Sequence, residues 1–418
     1  MSAGKISMYF SGTNLHLVHL DANGSPWENI QPPNNEWGPK KQLPNPDQIV
    51  FQAIRLVFAF GSATVMLIAL DVPPGASAGS PGRLWFATSD DQGNWSNFNR
   101  LPNQSGLNFS CFDAVQNVNE GIVIAAVSNG VAYSQSAPDG VTWSQPSWSN
   151  QPTPSEPYSW WSSTGPVYGP QIYTTPWPPN FSAVSIANNG PVHEEDSAPV
   201  IAGLLPTTVI AGSTGEQGAA PLVLYTDTNG DWQWGSVPQA SVQIDWRRQT
   251  WTYNPPPYPV ALVDLYLGPI LLLVGSDGNL YFDQPTDGLD SNWTYFNPPT
   301  GPALPNPDGL TFTKAKVVNG FPINQDTGSG TLVVVAVNSQ DQFPYLILCN
   351  GFSSMQSGTW EYGNQLPPLN PAKQVVDFDV TMGITALQVA YLTPQNEVFI
   401  NFQVPDRGWG VYDLQLAG

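Results

Sequence analysis

Short apolar runs alternate with polar breaks rich in glycine and proline along the whole chain. FQAIRLVFAF (51–60), ATVMLIALDV (63–72), VALVDLYLG (260–268), PILLLVGSD (269–277), VVDFDVTMG (375–383) and ITALQVAYLT (384–393) have strand length and end at turn residues. No helical periodicity separates them. Each consecutive pair is followed by a hairpin of one kind. In FATSDDQGNWSNF (86–98) a strand breaks at a polar turn and restarts on Trp95. Ser, Asp, Asn and Gly tolerate the positive-φ positions of tight turns and bond their own backbone. The tryptophan that opens the return strand folds back over the turn and anchors it.

The same arrangement ends at Trp27, Trp143, Trp232, Trp293, Trp360 and Trp409, so with Trp95 the copies are spaced 68, 48, 89, 61, 67 and 49 residues apart. A period near sixty is a repeat signature. Four consecutive antiparallel strands per repeat predict an all-β fold, a β-propeller whose blades pack only on their neighbours. The hairpins predict seven blades in one domain spanning 1–418, with six left open. Because 26 residues precede Trp27, the first blade is expected to be three-stranded or to borrow a strand from the far end.

Departures from the repeat carry more information. Insertions at about 144–197 and 235–259 are far longer than the few residues of an ordinary link. Both join an outer strand to the next inner strand, so both emerge on one face, with DVPPGASAGSPG (71–82) and QPPNNEWGPKKQLPNPD (31–47). They hold Trp160, Trp161, Tyr168, Tyr173, Trp177, Phe181, Trp246, Trp251, Tyr253 and Tyr258, too many aromatics for a disordered linker. An ordered aromatic cap over the central opening is predicted, with 156–181 and 245–258 on the same face, contacting one another or a shared cavity.

Composition narrows the function. The net charge is −20, from 32 acidic and only 12 basic residues. That disfavours nucleic acid and anionic membrane surfaces as partners, since both need basic patches. MSAGKISMYF enters a strand at once without an apolar signal core, and no run has transmembrane length, so a cytoplasmic chain is expected. Cys111 and Cys349 do not make a disulfide framework. His16 and His19 are expected to face one side of a strand, and His193 sits in the acidic loop PVHEEDS. Solvated loops explain His193 and the calcium-like DTNGD (227–231) better than metal sites do, so no metal is assigned. No nucleophile elbow, Cys–His pairing, phosphate loop or dinucleotide fingerprint occurs, and no cofactor is implied. The least ordinary heptapeptide is DWRRQTW (245–251). Arg247 and Arg248 there either brace their loop against Asp245 or contact a ligand.

Ser89, Asp91, Gly93 and Trp95 resemble the Asp box of sialidase-type propellers, one residue short, which is a fold device. A sialidase also needs an arginine cluster and an activated tyrosine, whereas Arg55, Arg83 and Arg100 fall in one blade. The hairpins ISMYFSGTNLHLVHLDANGSPW and YLTPQNEVFINFQVPDRGWGVY resemble fungal fucose-specific-lectin-type propellers, whose sugar sites between blades use Arg, Glu and an aromatic. Most blades here lack arginine, and a multivalent lectin works by near-identical sites. The degenerate, single-pocket pattern is similar to fungal hetero-Diels–Alderases of tropolone-sesquiterpenoid biosynthesis. The first expectation is therefore a cofactor-free cyclase joining a quinone methide or polyene to an alkene. Orientation supplies about 7–11 kcal/mol in such reactions, and a donor on a developing oxyanion adds several more. Arg247 and Arg248 are the candidate catalytic donors. Trp160, Trp161, Tyr168, Tyr173, Trp177, Trp246, Trp251, Tyr253 and Tyr258 are the candidate walls for an apolar or polycyclic ligand. The alternative is a glycan-binding lectin using the aromatics to stack on sugars; a scaffold binding protein is the third reading.

Overall fold

The computed structural model describes residues 3–143 and 306–414, except short gaps at 12–13, 34–35, 60–63, 91–92, 103, 118–120, 138–141, 307, 325–328, 355–356, 367–373, 383–385 and 405–407; from 144 to 305 it describes the strands below with Phe181, Gly278 and Asn279. The named elements are all strands. One sheet holds β1 (Ile6–Phe10), β2 (Leu15–Leu20), β3 (Pro26–Gln31) and β4 (Lys41–Gln42). A second holds β5 (Phe51–Ala59), β6 (Thr64–Asp71), β7 (Leu84–Ser89) and β8 (Asn99–Arg100). A third holds β9 (Phe109–Asn117), β10 (Gly121–Ser128), β11 (Val131–Ala137) and β12 (Ser149–Asn150). A six-stranded sheet follows, of β13 (Ser159–Ser162), β14 (Gln171–Thr174), β15 (Ala183–Asn189), β16 (Ala198–Val209), β17 (Gln217–Thr226) and β18 (Trp232–Trp234). Next is a sheet of β19 (Val260–Leu265), β20 (Gly268–Val274), β21 (Leu280–Pro285) and β22 (Trp293–Tyr295). The remaining sheets are β23 (Phe312–Asn324), β24 (Ser329–Asn338), β25 (Pro344–Ser354) and β26 (Ser357–Gln365), then β27 (Asp377–Met382), β28 (Leu387–Leu392), β29 (Val398–Val404) and β30 (Gly408–Asp413).

All these sheets are antiparallel, and the innermost strands pack side by side: β1 lies against both β5 and β27, and β5 against β9. This is an all-β propeller. Five sheets are described with their side chains as four-stranded blades, fewer than the seven or six expected from the hairpins. The β13–β18 and β19–β22 sheets are described chiefly as backbone.

A radial gradient of polarity explains the strand sequences. The second strand of a blade is covered by neighbouring blades on both faces, so β2, β6, β10 and β28 are buried almost throughout and read as near-continuous apolar runs. The third strand is mixed: in β7 Leu84, Ala87 and Ser89 are buried and Trp85, Phe86 and Thr88 are half-buried. The outermost strands β4 and β8 are two exposed residues each, KQ and NR. Such short edges blunt unwanted pairing.

Register identifies the repeated tryptophan and corrects one expectation. Gly38 donates its N–H to Ile30 O (2.8 Å), just as Ser96 donates to Thr88 O (2.8 Å). Trp37, and not Trp27, is therefore the equivalent of Trp95. It wedges beside Ile400 of the preceding blade, as Trp143 packs edge-on against Phe86 (5.7 Å) and Trp409 packs near Leu346. Trp27 instead opens the third strand of its blade, where His19 and Trp27 face each other across β2 and β3. Replacing 27 with 37 shortens the first repeat from 68 to 58 residues (95 − 37).

The other corrections follow from this one. The first blade has four strands of its own and borrows none, because Lys41–Gln42 is its outer strand. The segment 31–47 is thus not one link: strand β4 divides it between the two faces. The insertion at 144–197 begins with the outer strand β12 and carries the β13–β14 hairpin, whose β14 pairs with Thr208 and Val209 at the end of β16.

Candidate functional site

The expected pocket falls mainly outside the described residues. That holds for Arg247, Arg248, Tyr168, Trp177, Trp246, Trp251, Tyr253 and Tyr258, and for the shared cavity of 156–181 with 245–258. Trp160 and Trp161 lie on β13 and Tyr173 on β14, with Trp160 opposite Tyr173. Phe181 does not line a cap. It is 4% exposed, packs with Val123, Ala125 and Val127, and donates its N–H to Gly130 O (2.7 Å). His193 and DTNGD also fall outside; among the described residues no group of three or more metal-ligating side chains occurs. No helix of the described residues is long and apolar enough to cross a membrane.

One polar system lies on the innermost strands and follows a rule of register. On four of these strands a side chain at one shared position reaches the backbone of the next blade, one residue further on. Asp379 accepts from Met8 N–H (2.7 Å), Ser7 from Leu56 N–H (3.0 Å), and Asp113 from Ile186 N–H (3.2 Å); Arg55 donates to Ala114 O (3.4 Å). The charges also pair sideways, Arg55 with Asp113 (3.3 Å) and Lys316 with Asp379 (2.9 Å). Burial alone raises the Asp379 pKa, but Lys316, Arg55 and the Met8 N–H outweigh it and hold the carboxyl below its usual range. Tyr9 O–H donates to Gln116 Oε1 (3.1 Å) in the same system, its pKa pushed up to about 12 by burial against the opposing pull of Arg55. These groups hold blades together.

A second system lies where the second strand turns into the third. Asp21 at the end of β2 accepts from Trp27 Nε1 (3.1 Å), and Asp71 at the end of β6 accepts from Trp85 Nε1 (2.8 Å). Trp85 is opposite Ala69 as Trp27 is opposite His19, so the two tryptophans occupy equivalent positions in adjacent blades. The remaining carboxylate oxygens are committed: Asp21 Oδ1 to the Asn23 and Ser25 N–H groups, Asp71 Oδ1 to the Arg83 N–H. Both rings are therefore fixed and half-buried. The equivalent residues of the other described blades are Tyr133, Tyr345 and Phe399. Tyr345 O–H donates to Asp341 (2.9 Å), and burial followed by that carboxylate raises its pKa. Phe399 is buried, but Tyr133 and Tyr345 are half-exposed. The sequence signal that finds this row is an acidic residue closing an apolar second strand, LHLVHLD and TVMLIALD, with Trp as the second residue of the next strand.

Histidines 16 and 19 face opposite sides, because residues an odd number apart on a strand must. His16 Nδ1 meets Glu28 Oε1 (2.9 Å), and Glu28 Oε2 accepts from Trp95 Nε1 (2.7 Å) across the blade seam. His19, on the face of Leu15 and Leu17, is 2% exposed and its Nδ1 has no partner among the described residues. Burial, then Lys40, lower its pKa to about 4 against the opposing effect of Asp21. Lys40 Nζ sits 4.7 Å over the Trp27 ring.

No protein-family profile matches the chain. No curated protein sequence matches it either. Among solved structures, it is similar to the lectin BP39L from Burkholderia pseudomallei, at 16% identity over 98% of both chains with a TM-score of 0.61. The Aleuria aurantia lectin, solved with Fucα1-6GlcNAc, is 10% identical over 98% of this chain and 94% of its own, with a TM-score of 0.49. AofleA from Arthrobotrys oligospora is 12% identical over 86% and 84%, with a TM-score of 0.45.

Proposed function

We propose that this chain is a saccharide-binding propeller, whose sugar platforms are the half-buried aromatics that open the third strands. The observation that carries the reading is the pair Trp27 and Trp85, each with its indole N–H tied to a carboxylate at the end of the preceding strand. A ring fixed in advance loses little freedom on binding. Its apolar face suits the C–H face of a pyranose, and its polar edge is already satisfied. Repetition at Tyr133 and Tyr345 supports several weak sites acting by avidity. Similarity to the Burkholderia lectin over the full length of both chains adds support. The reading takes the ring as seven-bladed; contacts running from β1 through β5, β9, β15, β19, β23 and β27 back to β1 support that number.

The cofactor-free cyclase is set aside as the weaker reading. Its donors Arg247 and Arg248 lie outside the described residues, and no similarity supports cycloaddition or an apolar ligand. Binding is tested on a glycan array and by calorimetry with array hits and α-methyl-L-fucoside, the type of sugar held by the Aleuria lectin. Several saccharide sites per chain are expected, with Trp85→Ala removing one of them. A folded protein that binds no saccharide overturns the reading.

A further inference from the structure

Half of the twelve basic residues, Lys5, Lys40, Lys41, Arg55, Arg83 and Arg100, lie within the first hundred positions of a chain carrying 32 acidic ones. Most of the six have partners. Arg55 pairs with Asp113, Lys41 donates to Gly93 O (3.2 Å), and Lys40 covers Trp27. Arg83 Nη1 donates to the carbonyls of Gln104 and Leu107. Arg100 is different. It is exposed on the outer strand β8, directly opposite Trp85, and its guanidinium has no hydrogen bond or carboxylate among the described residues.

Its charged neighbour Arg83 sharpens the anomaly. Burial, then Arg100 itself, lower the Arg83 pKa, with Asp71 only partly compensating, so the two guanidinium groups work against each other. Asp71 cannot turn to relieve Arg100 without releasing the Trp85 indole and the Arg83 N–H. Among the described residues, in a chain with carboxylates in such excess, the Arg100 fork is left unanswered beside a fixed aromatic ring. An external anion completes that arrangement: a planar carboxylate or a sulfate accepts two parallel N–H bonds from an arginine.

We propose that Trp85 and Arg100, in the local positive field of Arg83, form a subsite for an acidic saccharide: the ring takes the sugar face and Arg100 takes its carboxylate. The inference rests on the saccharide reading above and narrows its ligand class. The neighbouring blade repeats the combination with Lys40 over Trp27 and Asp21 on the indole.

The test is calorimetry on the full chain with two matched pairs, 3′-sialyllactose against lactose and methyl glucuronide against methyl glucoside. A charge-assisted bidentate contact should make at least one acidic member about tenfold tighter than its neutral partner. Arg100→Gln should bring that ratio to about one, and Arg100→Lys should retain only part of it. A glucuronide preference alone selects a carboxylate on the stacked ring itself, and a sialyllactose preference alone selects one on an appended residue. Equal affinities within both pairs in the unaltered protein, or a ratio that survives Arg100→Gln, overturn the acidic-ligand inference while leaving neutral saccharide binding intact. Absence of binding by all four sugars, with no array hit, removes both proposals.

Discussion

Removal of the Asp379 carboxylate tests how the ring is closed. Asp379 is 1% exposed and answers two groups at once, Lys316 Nζ at 2.9 Å and the Met8 N–H at 2.7 Å. These bonds join the C-terminal blade to its two neighbours. Asp379→Ala leaves a lysine that is only 12% exposed without its counter-charge. Breaking a buried pair from one side costs about 3–5 kcal/mol, and partial exposure of the lysine puts this one near 3. The orphaned Met8 N–H adds about 1 kcal/mol. The sum of about 4 kcal/mol should appear locally, as exchange of the Met8 amide faster by roughly 10²–10³-fold under conditions where reclosing is fast relative to exchange. Amide exchange read by mass spectrometry over 6–10, beside urea unfolding followed by tryptophan fluorescence, measures both effects. Asp379→Asn keeps an acceptor for Met8 and should lose less. In the cycle with Lys316→Met, the second substitution should remove much of the penalty of the first. Because the folded pKa lies below the ordinary carboxylate value, the contribution is present above about pH 4 and fades as pH falls below it. A tenfold or smaller change at Met8 with an unmoved unfolding midpoint would refute this account of closure.

Three further outcomes follow from seam contacts and turns. Trp95→Phe removes a donor from the buried Glu28 and should cost about 1.5–3 kcal/mol in chemical denaturation, whereas Trp143→Phe should cost under about 1, because Trp143 Nε1 has no partner among the described residues. His19, with its pKa lowered to about 4, stays neutral when folded while the unfolded chain protonates near 6.5; stability should fall by up to about 3 kcal/mol between pH 6.5 and 4, a slope that His19→Gln removes. A methyl group at Gly82 would run into the backbone and carboxylate of Asp71, so Gly82→Ala should release the Trp85 indole, seen as a shifted indole N–H resonance, and weaken saccharide binding there.

The sequence made the blade pattern legible because burial on two faces leaves an unmistakable mark. TVMLIALD and GIVIAAVS can sit only inside a sandwich of neighbours. The outer strands leave almost none: KQ and NR are two exposed polar residues, and only their partners define them as strands. That is why Trp27 is mistaken for the repeated wedge. Its turn, DANGS, has the Asp and Gly of the other hairpins, whereas Trp37 follows PPNNE and sits before a strand too short to see. The partnership of Asp71 with Trp85 is hidden for a related reason. The glycine- and proline-rich loop 72–83 separates them, and only the pairing of β6 with β7 returns the indole to the carboxylate. Long aromatic insertions draw attention in a sequence; short-range register does not.

The two polar systems divide the labour of the fold. Along the inner strands the charged groups answer one another or the backbone of the next blade: Arg55 answers Asp113, and Asp379 answers both Lys316 and Met8. A ligand entering there would have to replace buried ion pairs, which is costly because each partner left behind is a desolvated charge. At the outer rim the acids are saturated by ring N–H groups and turn amides, while the half-buried Trp85 ring and the exposed Arg100 fork are left open to a ligand. Recognition can therefore change at the rim, from Trp to Tyr or from Lys to Arg, without unsealing the axis. The same separation predicts inequality among sites. Trp27 carries a lysine on its face, Trp85 faces an arginine, Tyr345 donates to Asp341, and Phe399 is buried. A titration should therefore resolve unlike classes of site rather than one repeated class, with the strongest belonging to the β5–β8 blade.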